Sequence, residues 1–171
     1  MALPSRVRLE AESLRDALLS VTGRLDRKLR GPAVPDLSNP RRTLYISTVR
    51  SDRSNFRSLF DGADPTSIVE KRTEATVAPQ SLFLLNHPFA LAQVKALAER
   101  VSRQPGDEAA RIAWLYGLLY GRPPVEREVK LGLAVLARDR EAAAGAGPSP
   151  ERAWEPYVQV LLLANEFMYL D

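Results

Sequence analysis

The sequence predicts an all-α, mostly helical protein of about six helices, with a long irregular segment at residues 24–75 and at most one short extended pair. Three observations carry that prediction. Apolar residues recur at helical spacing in successive windows separated by glycine, proline or asparagine. Between residues 24 and 75 the period vanishes, and Gly31-Pro32, Pro35, Asn39-Pro40 and Asp64-Pro65 punctuate the chain instead. In the stretch 76–101 an apolar run, Leu82-Phe-Leu-Leu85, stops at Asn86, and Pro88 opens a second helix.

The elements follow in order. Residues 6–22 read as the first helix, with Val7, Ala11, Leu14, Leu18 and Val21 on its apolar side. Arg8, Glu12, Arg15 and Asp16 are assigned to the solvent side, and Gly23 is the stop. Arg24–Arg42 reads as a loop. A structureless loop of this length is unusual in a compact domain, so it is expected to be tied down by packing, with Leu44 and Ile46 needing cover. Thr43-Leu-Tyr-Ile-Ser-Thr-Val49 alternates like a strand, with Ser67-Ile-Val69 as its candidate partner. One or two helical turns are expected over Asn55–Phe60, ended by Asp61-Gly62.

The next helix is apolar all round at Leu82–Leu85, which predicts burial on most sides. Thr76 is placed to cap it through the Ala78 N–H, because Pro79 has none. At the corner Leu85–Pro88 one helix must end and another begin. The Asn86 carboxamide, both donor and acceptor, is expected to serve both ends. Further helices are predicted at 88–103, 108–120, 125–141 and 151–168, with Gly121-Arg-Pro-Pro124 as a tight connector and Trp154 facing inward on the last. Residues 142–150 read as a flexible internal linker, and the whole of 1–171 as a single domain.

Composition narrows the function classes. The chain has 171 residues, no cysteine and one histidine, which excludes a disulfide frame, a thiolate metal site and covalently attached haem. No cofactor is expected in this chain. No apolar run reaches the ~18 residues of a membrane span, and the first ten residues lack the apolar core of a signal peptide, so the sequence by itself reads as cytoplasmic. Residues 1–75 hold 14 Lys+Arg against 10 Asp+Glu, an excess too thin to make nucleic acid an expected partner.

Among chemistry-bearing residues, Arg41, Arg42, Asp61 and Asp64 form the candidate polar cluster, since guanidinium and carboxylate groups could converge in a cleft. Arg41-Arg42, followed by Arg50, Arg53 and Arg57 with Tyr45 and Phe56 interleaved, offer a weaker phosphate-contacting pattern. Thr76, Gln80, Asn86 and Asn165 read as structural corner residues that satisfy helix ends. His87 has no second imidazole or thiol to share a metal, and reads as a helix-start residue.

Six segments, in this order, resemble a known family. They are Arg8-Leu-Glu-Ala-Glu-Ser-Leu-Arg-Asp-Ala-Leu-Leu-Ser-Val-Thr-Gly23, Arg41-Arg-Thr-Leu-Tyr45, Phe60-Asp61, Thr76-Val-Ala-Pro-Gln-Ser-Leu-Phe-Leu-Leu-Asn86 with Pro88-Phe89, Gly121-Arg-Pro-Pro124 and Asn165-Glu-Phe167. Together they are similar to the C-terminal part of the planctomycete-type domain of unknown function 1553. The resemblance implies a place in longer, often exported proteins that carry a companion domain and frequently a cytochrome-c-like domain upstream. It supplies no catalytic residue. The upstream portion, export signal and haem motif are not in this chain, which points to a truncated or split reading frame. Companion domains or proteins of the same family are the expected partners. Two readings follow: a non-catalytic helical structural and interaction module of a larger envelope-associated protein, or the C-terminal part of an enzyme, polysaccharide-acting in the favoured version, completed by the upstream region.

Overall fold

The structure is a computed structural model that describes residues 7–48, 56–62, 77–143 and 152–170. Its elements are β1 (Val7–Arg8), α1 (Ala11–Val21), a 3-10 turn (Thr43–Tyr45), α2 (Phe56–Leu59), α3 (Ala78–Asn86), α4 (Pro88–Ser102), α5 (Glu108–Tyr120), α6 (Glu126–Ala143), a second 3-10 turn (Arg152–Trp154), α7 (Glu155–Leu163), α8 (Asn165–Met168) and β2 (Tyr169–Leu170). The protein is thus mostly helical with one short extended pair. The chain divides into two compact units, Met1–Ala90 with Met168–Asp171, and Leu91–Phe167.

In the first unit, α1 begins at Ala11 rather than at residue 6, because the preceding residues are drawn into pairing. Val7 and Arg8 join Leu170 and Tyr169 in an antiparallel ladder. Among the described residues, the extended pair therefore lies at the two ends of the chain. Thr43–Tyr45 is a turn, not a strand, and Ile46 makes a single parallel bridge to Val34. The proposed partner Ser67–Val69 lies outside the described residues. α1 buries Ala11, Leu14, Leu18 and Leu19 and closes at Gly23, whose φ of 75° is a left-handed stop that glycine takes without steric cost.

Two expectations about burial are overturned here. Arg8 and Arg15, assigned to solvent, are 6% and 0% exposed, whereas Leu44 is 70% exposed. Helix α3 is not enclosed: Leu82 and Leu85 are exposed, and only Gln80 and Leu84 are buried. The reason is that α3 packs on one side only. Its Phe83 ring meets Phe56 at 5.3 Å and Phe60 at 5.8 Å, a cluster supplied by the turn of α2.

The second unit holds most of α4 with α5, α6, α7 and the start of α8. Asp107 caps α5, accepting the Ala110 N–H at 2.8 Å, and Gly121 ends it with φ 69°. The last predicted helix is broken. Ala164 adopts extended backbone (ψ 142°), so α7 stops at Leu163 and Asn165 opens a separate turn. Gly132 on α6 is a contact point, since a Cβ there would fall 2.7 Å from Tyr157 Oη and 2.8 Å from Ile112 Cδ1. Residues 144–150 of the expected linker lie outside the described residues, and α6 continues to Ala143.

Trp154 is 3% exposed in the 3-10 turn that packs on α6, and its ring lies 6.2 Å from that of Tyr157. Trp154→Ala is expected to cost about 3–5 kcal/mol in chemical denaturation, the usual loss for a buried ring.

Candidate functional site

The first unit is held by two buried arginines on chain segments that sequence reasoning gave to solvent. Arg15 projects from α1 into the irregular segment. Its Nε and Nη2 donate to Leu37 O at 3.0 and 2.7 Å, Nη1 to Arg41 O at 2.9 Å and to Thr43 Oγ1 at 3.1 Å, and Nη2 also to Asn39 O. The Phe89 ring closes one face at 5.5 Å. Burial lowers the Arg15 pKa, and Asp16 and Asp36 act against that shift. Asp16, the next residue, accepts Thr43 N–H at 2.8 Å and Thr43 O–H at 2.6 Å. One helical turn thus binds three carbonyls and both donors of Thr43.

Arg8 makes the second anchor. Its Nη2 pairs with Asp61 Oδ2 at 2.5 Å and its Nη1 donates to Gln80 Oε1 at 2.9 Å. Gln80 in turn donates to Leu59 O at 2.9 Å and accepts the Val77 N–H at 3.4 Å, which closes the start of α3.

The three described members of the candidate polar cluster each engage other groups. Asp61 faces Arg8, while Arg41 lies 3.8 Å over the Tyr45 ring and donates to Pro32 O and Arg30 O. Arg42 reaches Asp16 at 3.5 Å. Asp64 and Thr76 lie outside the described residues, as do Arg50 and Arg53. At the α3–α4 corner the work is divided: Asn86 Nδ2 donates back to Leu82 O at 3.1 Å, and the Phe89 N–H of the next helix donates to His87 Nδ1 at 3.2 Å. Asn86 and Asn165 are both exposed.

The first unit also contains a cavity of about 450 Å³, within the range of small-ligand sites. Leu37, Ile46 and Phe83 give it an apolar side, and Arg57 and His87 a polar one. His87 stacks on Phe83 at 4.1 Å, and Arg57 is engaged by Thr48 Oγ1 at 2.6 Å. Among the described residues, no group of three His, Cys, Asp or Glu side chains could hold a metal ion, and no helix is long and apolar enough to cross a membrane.

The second unit has its own charged centre at Arg122, in the connector after α5. Arg122 forks onto Glu128 (2.9 and 2.8 Å) and also binds both oxygens of Glu166, with its guanidinium 5.3 Å from the Tyr116 ring. Glu128 additionally accepts the Val125 N–H at 2.7 Å and so caps its own helix. The Arg122 guanidinium holds the Glu128 carboxyl below its usual range. Burial pushes the hydroxyls of Tyr116, Tyr120 and Tyr157 up, and the Tyr120 hydroxyl donates to Leu161 O at 2.8 Å.

A family model described as a protein of unknown function (DUF1553) matches residues 1–136. The chain belongs to the DUF1553 family. No curated protein and no solved structure matches it. The DUF1553 match ends before Asn165-Glu-Phe167, yet Glu166 is bound by Arg122 of the matched region.

The signal that could have found Arg15 is positional. It stands four residues after Ala11 and four before Leu19, on a face that is otherwise buried. No local signal marks Arg8, whose partners are 53 and 72 residues away.

Two outcomes follow. His87→Ala removes the only side-chain acceptor described for the opening of α4 and is expected to cost about 1 kcal/mol in denaturant melts. Asn86→Ala, at an exposed position, should stay within about 0.5 kcal/mol of the parent. The depressed Glu128 carboxyl contributes stability that is full above its unfolded pKa of about 4.3 and is lost as pH falls through the lower folded value. Melts taken from pH 6 downward should therefore fall less in Glu128→Gln than in the parent, by a modest margin because the pair is partly exposed.

Proposed function

We propose that this chain is a non-catalytic helical scaffold and interaction module within a larger, envelope-associated DUF1553 protein. Its partners on this reading are the companion domains of such proteins, cytochrome-c-like domains among them. One observation carries the reading: buried or forked arginines, with Asp16, tie together the segments on which the family resemblance rests. Arg8 joins the first segment to Asp61 and Gln80 of the third and fourth. Arg15 and Asp16 join the first to Arg41 and Thr43 of the second. Arg122 joins the fifth to Glu166 of the last.

A hydrolytic centre needs carboxylates held apart in environments that push their pKa values in opposite directions. Asp61 is instead bound to a buried guanidinium, and the Arg122 guanidinium holds the Glu128 carboxyl below its usual range. Such groups support a framework.

Asp61→Asn separates the scaffold from the enzyme reading. It removes the Asp61 carboxylate from the buried Arg8 guanidinium, and the expected loss is about 3–5 kcal/mol of stability. Neither the parent nor the variant is expected to release reducing ends from a polysaccharide panel above the buffer rate. Turnover by the parent that Asp61→Asn abolishes while its denaturation midpoint is unchanged would overturn the scaffold reading.

A further inference from the structure

The charge excess of the chain sits in one place. Residues 24–42 hold six Arg and Lys against two Asp, while the whole chain carries only +3. This region and the 3-10 turn that follows it expose the two most solvent-accessible large apolar side chains among the described residues, Leu29 at 73% and Leu44 at 70%.

This region is also built rigidly. Asp26 N–H donates to Pro40 O at 2.8 Å, and Asp26 bridges Arg41. Arg30 N–H donates to Tyr45 Oη at 2.7 Å, and Val34 N–H to Tyr45 O at 2.8 Å. Tyr45 thereby ties the neighbourhood of Leu29 to that of Leu44. Arg41 is taken up by the carbonyls of Arg30 and Pro32. Arg30 itself is held at φ 66°, a left-handed conformation that a free loop would seldom keep.

Arg42 reaches Asp16, whereas Arg27, Lys28 and Arg30 are exposed and have no carboxylate partner among the described residues. The two acids of the segment each accept a nearby backbone N–H, Asp26 that of Lys28 and Asp36 that of Ser38.

We propose that the surface formed by Arg27, Lys28, Leu29, Arg30 and Leu44 docks on an anionic lipid membrane. Clustered cations are drawn to negatively charged headgroups, and leucines beside them enter the headgroup–acyl boundary. The leucines decide between occupants. A soluble polyanion would reward the cations and leave Leu29 and Leu44 in water, whereas a bilayer uses both. The preformed loop lowers the ordering cost of docking. Binding of this size is weak and reversible, since stable anchoring takes stronger or additional signals. The inference goes beyond the scaffold reading, and either can fail without the other.

The test is co-sedimentation of the full chain with vesicles of phosphatidylcholine alone and of phosphatidylcholine mixed with phosphatidylserine. Binding is expected only to the mixed vesicles and should weaken with salt. Arg27→Gln/Lys28→Gln/Arg30→Gln should lose roughly fivefold in partitioning per cation removed. Leu29→Ser, at an exposed position that leaves the fold intact by circular dichroism, should also weaken it. The chain has no cysteine, so Leu29→Cys takes a single environment-sensitive fluorophore whose emission should shift to the blue on the mixed vesicles. Equal sedimentation with both vesicle types, an unshifted label, or capture by polyphosphate or RNA without capture by vesicles would overturn the proposal, the last assigning the surface to a soluble polyanion.

Discussion

A buried guanidinium holds the first half of this protein in shape. Arg15 is fully enclosed, and taking such a charge out of water costs several kcal/mol before any partner is counted. The cost is offset because its donors meet the carbonyls of Leu37, Asn39 and Arg41, with the Thr43 hydroxyl as a further acceptor. Those carbonyls belong to a stretch rich in proline, which has few N–H groups with which to build a ladder. Arg15 therefore does for the irregular segment what a sheet partner does for a strand. It also explains how a segment without regular structure stays packed: Asp26, Val34 and Ile46 make their bridges on a frame that α1 already fixes.

The same device recurs with other residues. Arg8 draws Asp61 and Gln80 together from distant parts of the chain, and Arg122 draws Glu128 to Glu166. In each case a planar fork of donors matches carboxylate or carbonyl oxygens, which lysine could not reproduce. This use suits a composition in which arginine far outnumbers lysine. It also ties together segments that lie far apart in the sequence.

Much of the fold was legible in the sequence where local chemistry decides it. Asp107 and Gly121 mark the ends of α5, and Gly23 marks the end of α1, because a cap and a left-handed stop act within one turn. Long-range features were not legible. The β1–β2 pair joins residues more than 160 positions apart (Val7 to Leu170), and nothing in either dipeptide announces it. Alternation of Leu44 and Ile46 with Tyr45 and Ser47 imitated a strand, although Tyr45 is held by hydrogen bonds to Arg30 and Val34 while Leu44 stays in water. The partner of Asp61 was likewise not legible, since Arg8 stands 53 residues before it. Charged residues are exposed so often that assigning Arg15 to solvent follows the rule; its helical register between Ala11 and Leu19 is the exception that carries the information.

Amide hydrogen exchange of the parent and of Arg15→Met tests the central role of Arg15 most directly. Met keeps the length and apolar stem but supplies no donor. The amides of Asp26, Val34 and Ser47, which form the bridges of the irregular segment, and that of Ile46, which donates to Thr43 O, should lose protection together, while those of α5 keep theirs. Unchanged protection at those four amides in a folded Arg15→Met protein would contradict the claim that Arg15 organises the segment.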